Sequence, residues 1–378
     1  MDYETLKLIW WLLVGALLVG FAIMDGHDMG MGALLPFVAR TDLERRAVIN
    51  TVAPHWEGNQ VWFVTAGGAI FAAWPLVYAT AFSGFYWAMM AALWALFLRP
   101  VSFTYRSKIH NAVWRSTWDW GLFIGGAVPP IIFGVAFGNL LQGVPFRFDD
   151  LMMSTYNGSF WQLLNPFALL AGAISLGMIV FQGATYLMLR TEGDIYRRAR
   201  RSGMLAGALT LLLFGLAGVW VATGIDGYII TSAIDGNALP DPLLKTVAIK
   251  TGAWMLNYNR YPWAIALPLA AFAGLGLGVM FAQRRHAGYA FWSSSLACTG
   301  IIGTAGVSMF PFIMPSSTDP RSSLTVYDAV SSHMTLGVMF GATVVLLPLI
   351  VAYTSWAYKV MWGKVTPEFV AANDKSVY

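Results

Sequence analysis

Residues 61–98 read VWFVTAGGAIFAAWPLVYATAFSGFYWAMMAALWALFL, without a single Asp, Glu, Lys or Arg. A helix needs about 20 apolar residues to cross about 30 Å of hydrocarbon. The run is too long for one crossing and fits two helices joined at Ser83-Gly84. The flanking charges agree: Arg45 and Arg46 precede it, and Arg99, Arg106 and Lys108 follow it. Two basic flanks on one side of a bilayer require an even number of crossings between them.

Outward from this stretch, apolar runs follow one another without a soluble linker. The expected spans are 8–25, 59–80, 83–99, 121–141, 163–189, 204–224, 263–282, 290–313 and 334–357, nine in all. Composition says the same: 57% of the chain is hydrophobic, 11% is charged, and the mean hydropathy is +0.61. A soluble domain carries about 25% charged residues, so lipid must solvate most of this surface. The expected fold is all-α: one polytopic transmembrane domain over residues 1–378, with a larger outside loop at 225–262. That loop carries turn residues (GIDGY, DGNALPDP) and is expected to be ordered against the helices. Glycine-rich FAGLGLG (272–278) suits close helix packing in lipid, and many of the 17 Trp lie near span ends, as interfacial anchors do.

Nine crossings divide the basic residues unevenly. Arg40, Arg45, Arg46, Arg99, Arg106, Lys108, Arg115, Arg190, Arg197, Arg198, Arg200, Arg201, Arg284, Arg285, Lys359, Lys364 and Lys375 fall on one face. Lys7, Arg147, Lys245, Lys250, Arg260 and Arg321 fall on the other. The positive-inside rule makes the first face cytoplasmic, so the N-terminus is expected outside and the C-terminus inside. The net charge of +4, without a basic tract beyond short loops, fits membrane topology and not nucleic-acid binding. Cys298 is the single cysteine, which excludes an intrachain disulfide and a Cys-cluster metal site. The opening MDYETLK does not resemble a signal peptide's basic segment, so the first apolar run reads as a retained helix.

Ionisable groups within spans cost about 2.5–3.5 kcal/mol on insertion scales and so mark candidate chemistry. The first span ends in MDGHDMGMG, with Asp25 and Asp28 three apart on one helical face. At the entrance of the second, APHWEGNQVW holds His55, Trp56 and Glu57, with Gln60 a turn deeper. Both acid clusters fall at the same membrane face, as a proton entry would. The plain alternatives are a helix end reaching the interface and an acid stabilised by the helix dipole. No His is expected mid-span, so an axial haem ligand is not expected in this chain. There is no Walker loop, dinucleotide fingerprint or HExxH.

Longer motifs carry a resemblance. IWWLLVGALLVGFAIMDGHDMGMG, INTVAPHWEGNQVWFVTAGGAIFAAWP, FSGFYWAMM, FLRPVSFTYRSKI, WDWGLFIGG, PPIIFGVAFGNLLQGVPF, NPFALLAG, GLAGVWVATGIDGY, AGVSMFPFIMPSS and SLTVYDAVSSHMTL resemble subunit II of cytochrome bd quinol oxidase. The resemblance covers essentially the whole chain. It implies a respiratory terminal oxidase of the bacterial inner membrane that oxidises quinol and reduces dioxygen to water, taking protons from the cytoplasm without pumping. It implies two four-helix bundles plus one peripheral helix. Haem b and haem d would be ligated by a partner, subunit I, with single-helix accessory subunits alongside and a structural quinone in some members. It places the proton pathway at Asp25, Asp28, Glu57 and Gln60, support at His55 and Trp56, and an oxygen route at Trp62. Other members carry Asp where this chain has Glu57, which changes the reach of the side chain. His27 stands where an aromatic is common and is given no ligand role.

Two other classes compete. A secondary transporter favours broken helices and charges at the midplane, whereas these acids are expected near one face. A purely structural scaffold would leave them inert.

Overall fold

The computed structural model describes residues 1–373 and 377; Lys375 lies outside them. Thirteen helices dominate the described residues: α1 (Tyr3–Val38), α2 (Asp42–Asn50), α3 (Trp56–Ala73), α4 (Pro75–Gly84), α5 (Tyr86–Tyr105), α6 (Ala112–Gln142), α7 (Pro166–Arg190), α8 (Gly193–Thr223), α9 (Leu256–Arg260), α10 (Ala266–Gln283), α11 (Ala287–Met309), α12 (His333–Val360) and α13 (Pro367–Ala372). Eight segments are long and apolar enough to span: α1, α5, α6, α7, α8, α10 with the turn before it, α11 and α12. The α3–α4 pair makes a ninth if counted as one broken span.

The bend is a departure from the straight span expected at 59–80. The chain bends by 118° between α3 and α4. Pro75 begins α4, and a proline both lacks the N–H that would continue the ladder and pushes its predecessor out of the helical region. Trp74 accordingly sits at φ −132°, ψ 72°. The second departure is length. At 1.5 Å per residue, α1 is about 54 Å long, and its end lies at Val38, not near residue 25. His27 and Asp28 are therefore inside α1 and not beyond its end.

Several helices begin at a side-chain cap. Thr41 and Glu44 form a reciprocal capping box on α2, Asn111 caps α6, and Asn165 caps α7 ahead of Pro166. Packing sets the neighbours: α1, α3, α5 and α6 lie together, and α7, α8, α10 and α11 lie together, with α1 also against α7. α12 stands apart and buries only Leu336.

Three antiparallel ribbons interrupt the all-α pattern, each two strands wide: β1 (Phe146–Phe148) with β2 (Ser154–Tyr156), β3 (Asp226–Ile230) with β4 (Val247–Thr251), and β5 (Phe312–Met314) with β6 (Leu324–Thr325). The β3–β4 hairpin lies in the long loop. That loop is fastened by the Trp254 indole N–H donating to the Leu141 carbonyl at 2.9 Å. The Asn257 amide donates to the carbonyls of Val307, Ser308 and Phe310.

Candidate functional site

Glycines bring α1 into the middle of the molecule. A Cβ on Gly30 would lie 2.2 Å from the Ile179 carbonyl oxygen of α7, and one on Gly126 of α6 would lie 2.3 Å from the Met29 carbonyl oxygen. Only hydrogen fits at either place, so α1 is pinched between α6 and α7 one turn beyond the acids. Asp25, His27 and Asp28 are all buried there.

Asp25 is claimed by Arg99 of α5, whose guanidinium donates to both carboxylate oxygens at 3.0 and 2.5 Å. Arg99 reads in the sequence as a cytoplasmic flank; it is instead a buried residue inside α5. Trp56 lies beside it, its ring 5.9 Å from the guanidinium and stacked on Phe103 at 5.0 Å. Trp56 thus packs beside the Asp25–Arg99 pair.

Asp28 has different company. The Asn59 amide of α3 donates to its Oδ2 at 2.8 Å and contacts His55 Nδ1 at 3.0 Å. The Tyr358 hydroxyl, arriving from α12, donates to Asn59 Oδ1 at 2.8 Å. His55 Nε2 lies 2.9 Å from the Tyr186 hydroxyl, which itself donates to the Thr51 carbonyl at 3.2 Å. Because that hydroxyl proton is spent on a carbonyl, His55 Nε2 is the donor in the first contact. His27 Nδ1 lies 2.9 Å from the Ile23 carbonyl, which can only accept, so Nδ1 carries the ring proton. A connected polar chain therefore runs from Asp28 through Asn59, His55 and Tyr186 to the turn between α2 and α3.

The sequence reading groups Glu57 with these acids; the structure separates it. Glu57 precedes Asn59 by two positions, about 200° around the helix. It is exposed on the opposite face of α3, without a hydrogen bond or ion pair among the described residues. α3 has no side-chain cap, so Glu57 does not act as one. Gln60 is half-buried beside Asn59. Trp62 is half-buried and lies over Gly20 of α1, where a Cβ would meet its ring at 2.4 Å. Its neighbours include Phe21, Phe63 and Phe133.

Several polar partners escaped the sequence reading. Asp119 of α6 accepts from Arg106 at 2.5 Å and Arg45 at 2.7 Å, and Asp42 accepts from Arg106 and Arg115, both at 2.9 Å. Glu44 accepts from Arg198 at 2.6 Å. Desolvation acts upward on Glu44, but the Arg40 amide and Arg198 hold its carboxyl below the ordinary value. These contacts gather the ends of α1, α2, α5, α6 and α8 at one pole. Deep in the second group of helices, Gln182 of α7 bonds Ser294 and Ser295 of α11. The available signal was a polar residue inside an apolar run, as Asn59 and Gln182 both are.

The chain matches the family described as cytochrome bd terminal oxidase subunit II over residues 6–361. It is 55% identical to the cytochrome bd-I ubiquinol oxidase subunit 2 of Escherichia coli K12, over the full length of both chains. It is 52% identical, again over both full lengths, to the probable cytochrome oxidase subunit 2 of Haemophilus influenzae. A cytochrome bd ubiquinol oxidase subunit 2 from Bacillus subtilis is 31% identical, covering 95% of this chain and 96% of that one. Among solved structures, a chain of the bd oxidase from Geobacillus thermodenitrificans superposes with a TM-score of 0.67 at 16% identity, covering 95% of this chain and all of the other; that likeness speaks to fold alone.

Proposed function

The chain belongs to the cytochrome bd terminal oxidase subunit II family, and on that premise we propose that it supports a haem-bearing subunit I and helps carry protons from the cytoplasm to the site of dioxygen reduction. As a family member it is a subunit of a quinol-oxidising, oxygen-reducing complex of the bacterial inner membrane.

Among the described residues no histidine suits an axial haem position. His27 lies 4.0 Å from the Tyr186 ring, and His55 is stacked on Tyr358 at 4.5 Å, which leaves no room for a porphyrin over either imidazole. His110, His286 and His333 are exposed. The donor set does not fit, and this favours ligation by the partner. Accessory single-helix subunits and a structural quinone belong to the same reading.

The observation that carries the proton reading is the polar chain from Asp28 through Asn59 and His55 to Tyr186, buried among apolar helices. Burying polar groups in this number is costly unless they are used or paired. Asp25, held by two hydrogen bonds from Arg99, sets the field beside Asp28 and is a poorer carrier. Glu57 faces outward from α3, where subunit I or water would meet it, and Gln60, half-buried beside Asn59, would extend the path inward. Trp62, among Phe21, Phe63 and Phe133, borders the proposed apolar route for dioxygen.

The test is turnover of the purified complex with saturating quinol. Glu57→Gln and Asp28→Asn each keep size and hydrogen bonding while removing a titratable group. Turnover is expected to fall tenfold or more with haem content unchanged. Full activity in both variants would end the proton reading, and lost haem would point to assembly instead.

A further inference from the structure

The geometry points to a buried binding site for a first-row divalent cation of zinc type, built by His27, Asp28 and His55 with Tyr358 at the fourth vertex. It goes beyond the proton reading and needs none of it. The ligand atoms of the first three residues all lie within 4.8 Å of one another.

The hydrogen-bond roles point the same way. His27 donates Nδ1–H to the Ile23 carbonyl, so its Nε2 lone pair faces inward. His55 donates Nε2–H to Tyr186, so its Nδ1 lone pair faces inward, where it accepts the Asn59 amide N–H at 3.0 Å. Metal-binding imidazoles are held in this way, with the distal N–H given to a carbonyl or a comparable acceptor that fixes ring and tautomer. Asp28 Oδ1 is buried between them and has no hydrogen-bond partner among the described residues. Tyr358 gives its proton to Asn59, leaving oxygen lone pairs toward both rings. Four electron-pair donors thus converge with no proton directed at Asp28 Oδ1.

Distances suit a small ion. Zinc bonds of about 2.0–2.1 Å place tetrahedral ligands about 3.3–3.4 Å apart. His27 Nε2 lies 3.3 Å from Asp28 Oδ1, and Tyr358 Oη lies 3.4 Å from His27 Nε2 and 3.3 Å from His55 Nδ1. His55 Nδ1 to Asp28 Oδ1 is longer, at 4.0 Å. Closing that edge requires His55 to move by several tenths of an ångström, exchanging its Asn59 contact for the ion. Imidazole and carboxylate together select zinc-like ions over calcium or magnesium, which take oxygen ligands.

The intact oxidase complex, stripped with chelator and reloaded with zinc sulfate alone, tests this by elemental analysis and zinc-edge X-ray absorption. The expected result is one tightly held equivalent showing two imidazoles and at least one oxygen ligand. His27→Phe, which keeps an aromatic ring, is expected to lose that equivalent, and Asp28→Asn to weaken retention at least tenfold. Equal zinc in the parent and His27→Phe complexes, no zinc in the parent, or a spectrum without two imidazoles would overturn the site. Should His27→Phe fail to assemble, the parent spectrum and Asp28→Asn decide alone. The two readings share Asp28 and His55, but neither readout here is turnover, so failure of the zinc site is distinguished from failure of the proton reading.

Discussion

Arg99 and Asp25 make the clearest case for what a single residue does in this molecule. Both are buried, 74 positions apart in sequence, and joined by two hydrogen bonds. Removing one partner of a buried pair costs about 3–5 kcal/mol, because the remaining charge is stranded, whereas replacing both by apolar groups is often neutral. Arg99→Met is therefore expected to lower the thermal midpoint of the complex sharply, and Asp25→Leu with Arg99→Met to recover most of the loss. Following the haem absorbance on heating checks both; a double variant no better than the single would mean that the pair acts through something other than charge. The acids of this site were legible because charge inside an apolar run is conspicuous. Their partners were not. Arg99 closes an apolar run and so resembles a membrane flank, Tyr358 resembles an interfacial anchor, and His27 shows its neighbours only once α1, α3, α7 and α12 are assembled. Glu57 was legible as a residue but not as a direction: two positions along a helix turn a side chain to the far face.

At the scale of elements, close approach organises the site. Gly30 and Gly183 meet where α1 crosses α7, with a Cβ on Gly183 placed 2.4 Å from the Gly30 carbonyl carbon. The obstacle on both sides is backbone, which cannot rotate away as a side chain can. Gly30→Ala is expected to force the helices apart at a cost of about 1–3 kcal/mol, typical of overpacking, and to loosen the Asp28 cluster about half a turn away. Gly15 of the same helix has nothing within 4 Å of a built Cβ, so Gly15→Ala is the matched control and should leave stability unchanged or slightly raised. Thermal midpoints of the two complexes make the comparison, and equal losses would remove the crossing as the cause. Hydropathy located these elements well because the lipid requirement is a property of local composition. It shortened them, since α1 and α6 run on through polar turns that no hydropathy window includes. It also missed the α3–α4 bend, although Pro75 within the uncharged run was its sign.

For the whole molecule, the decisive question is which pole faces the cytoplasm. The joins from α1 to α2, α5 to α6 and α7 to α8 meet through Arg45, Arg106, Arg115 and Arg198 with their acidic partners. Arg285 of the α10–α11 join reaches the same pole, where its carbonyl accepts from Tyr196 of α8. The opposite pole holds the ribbons and fewer cations, among them Lys245 paired with Asp328 at 2.8 Å and Lys7 donating to the Tyr327 carbonyl at 2.9 Å. Arg99 leaves the loop count, because it is committed to Asp25 inside a helix, but the asymmetry survives its removal. Cytoplasmic loops carry the excess of Lys and Arg, so the arginine pole is expected inside, with α1 beginning outside. With α3 and α4 taken as one broken span, nine crossings then return the chain to the cytoplasm after α12. A reporter active only in the cytoplasm, fused after Tyr378, should give signal, and one fused within the β3–β4 loop should stay silent. A stable but silent C-terminal fusion would put the arginine pole outside and overturn this orientation. Signal at the C-terminus with silence in the loop matches the three crossings α10, α11 and α12 that lie between them, and a third reporter at Met1 that is silent as well requires an odd total, which the eight unbroken helices cannot supply without α3 and α4.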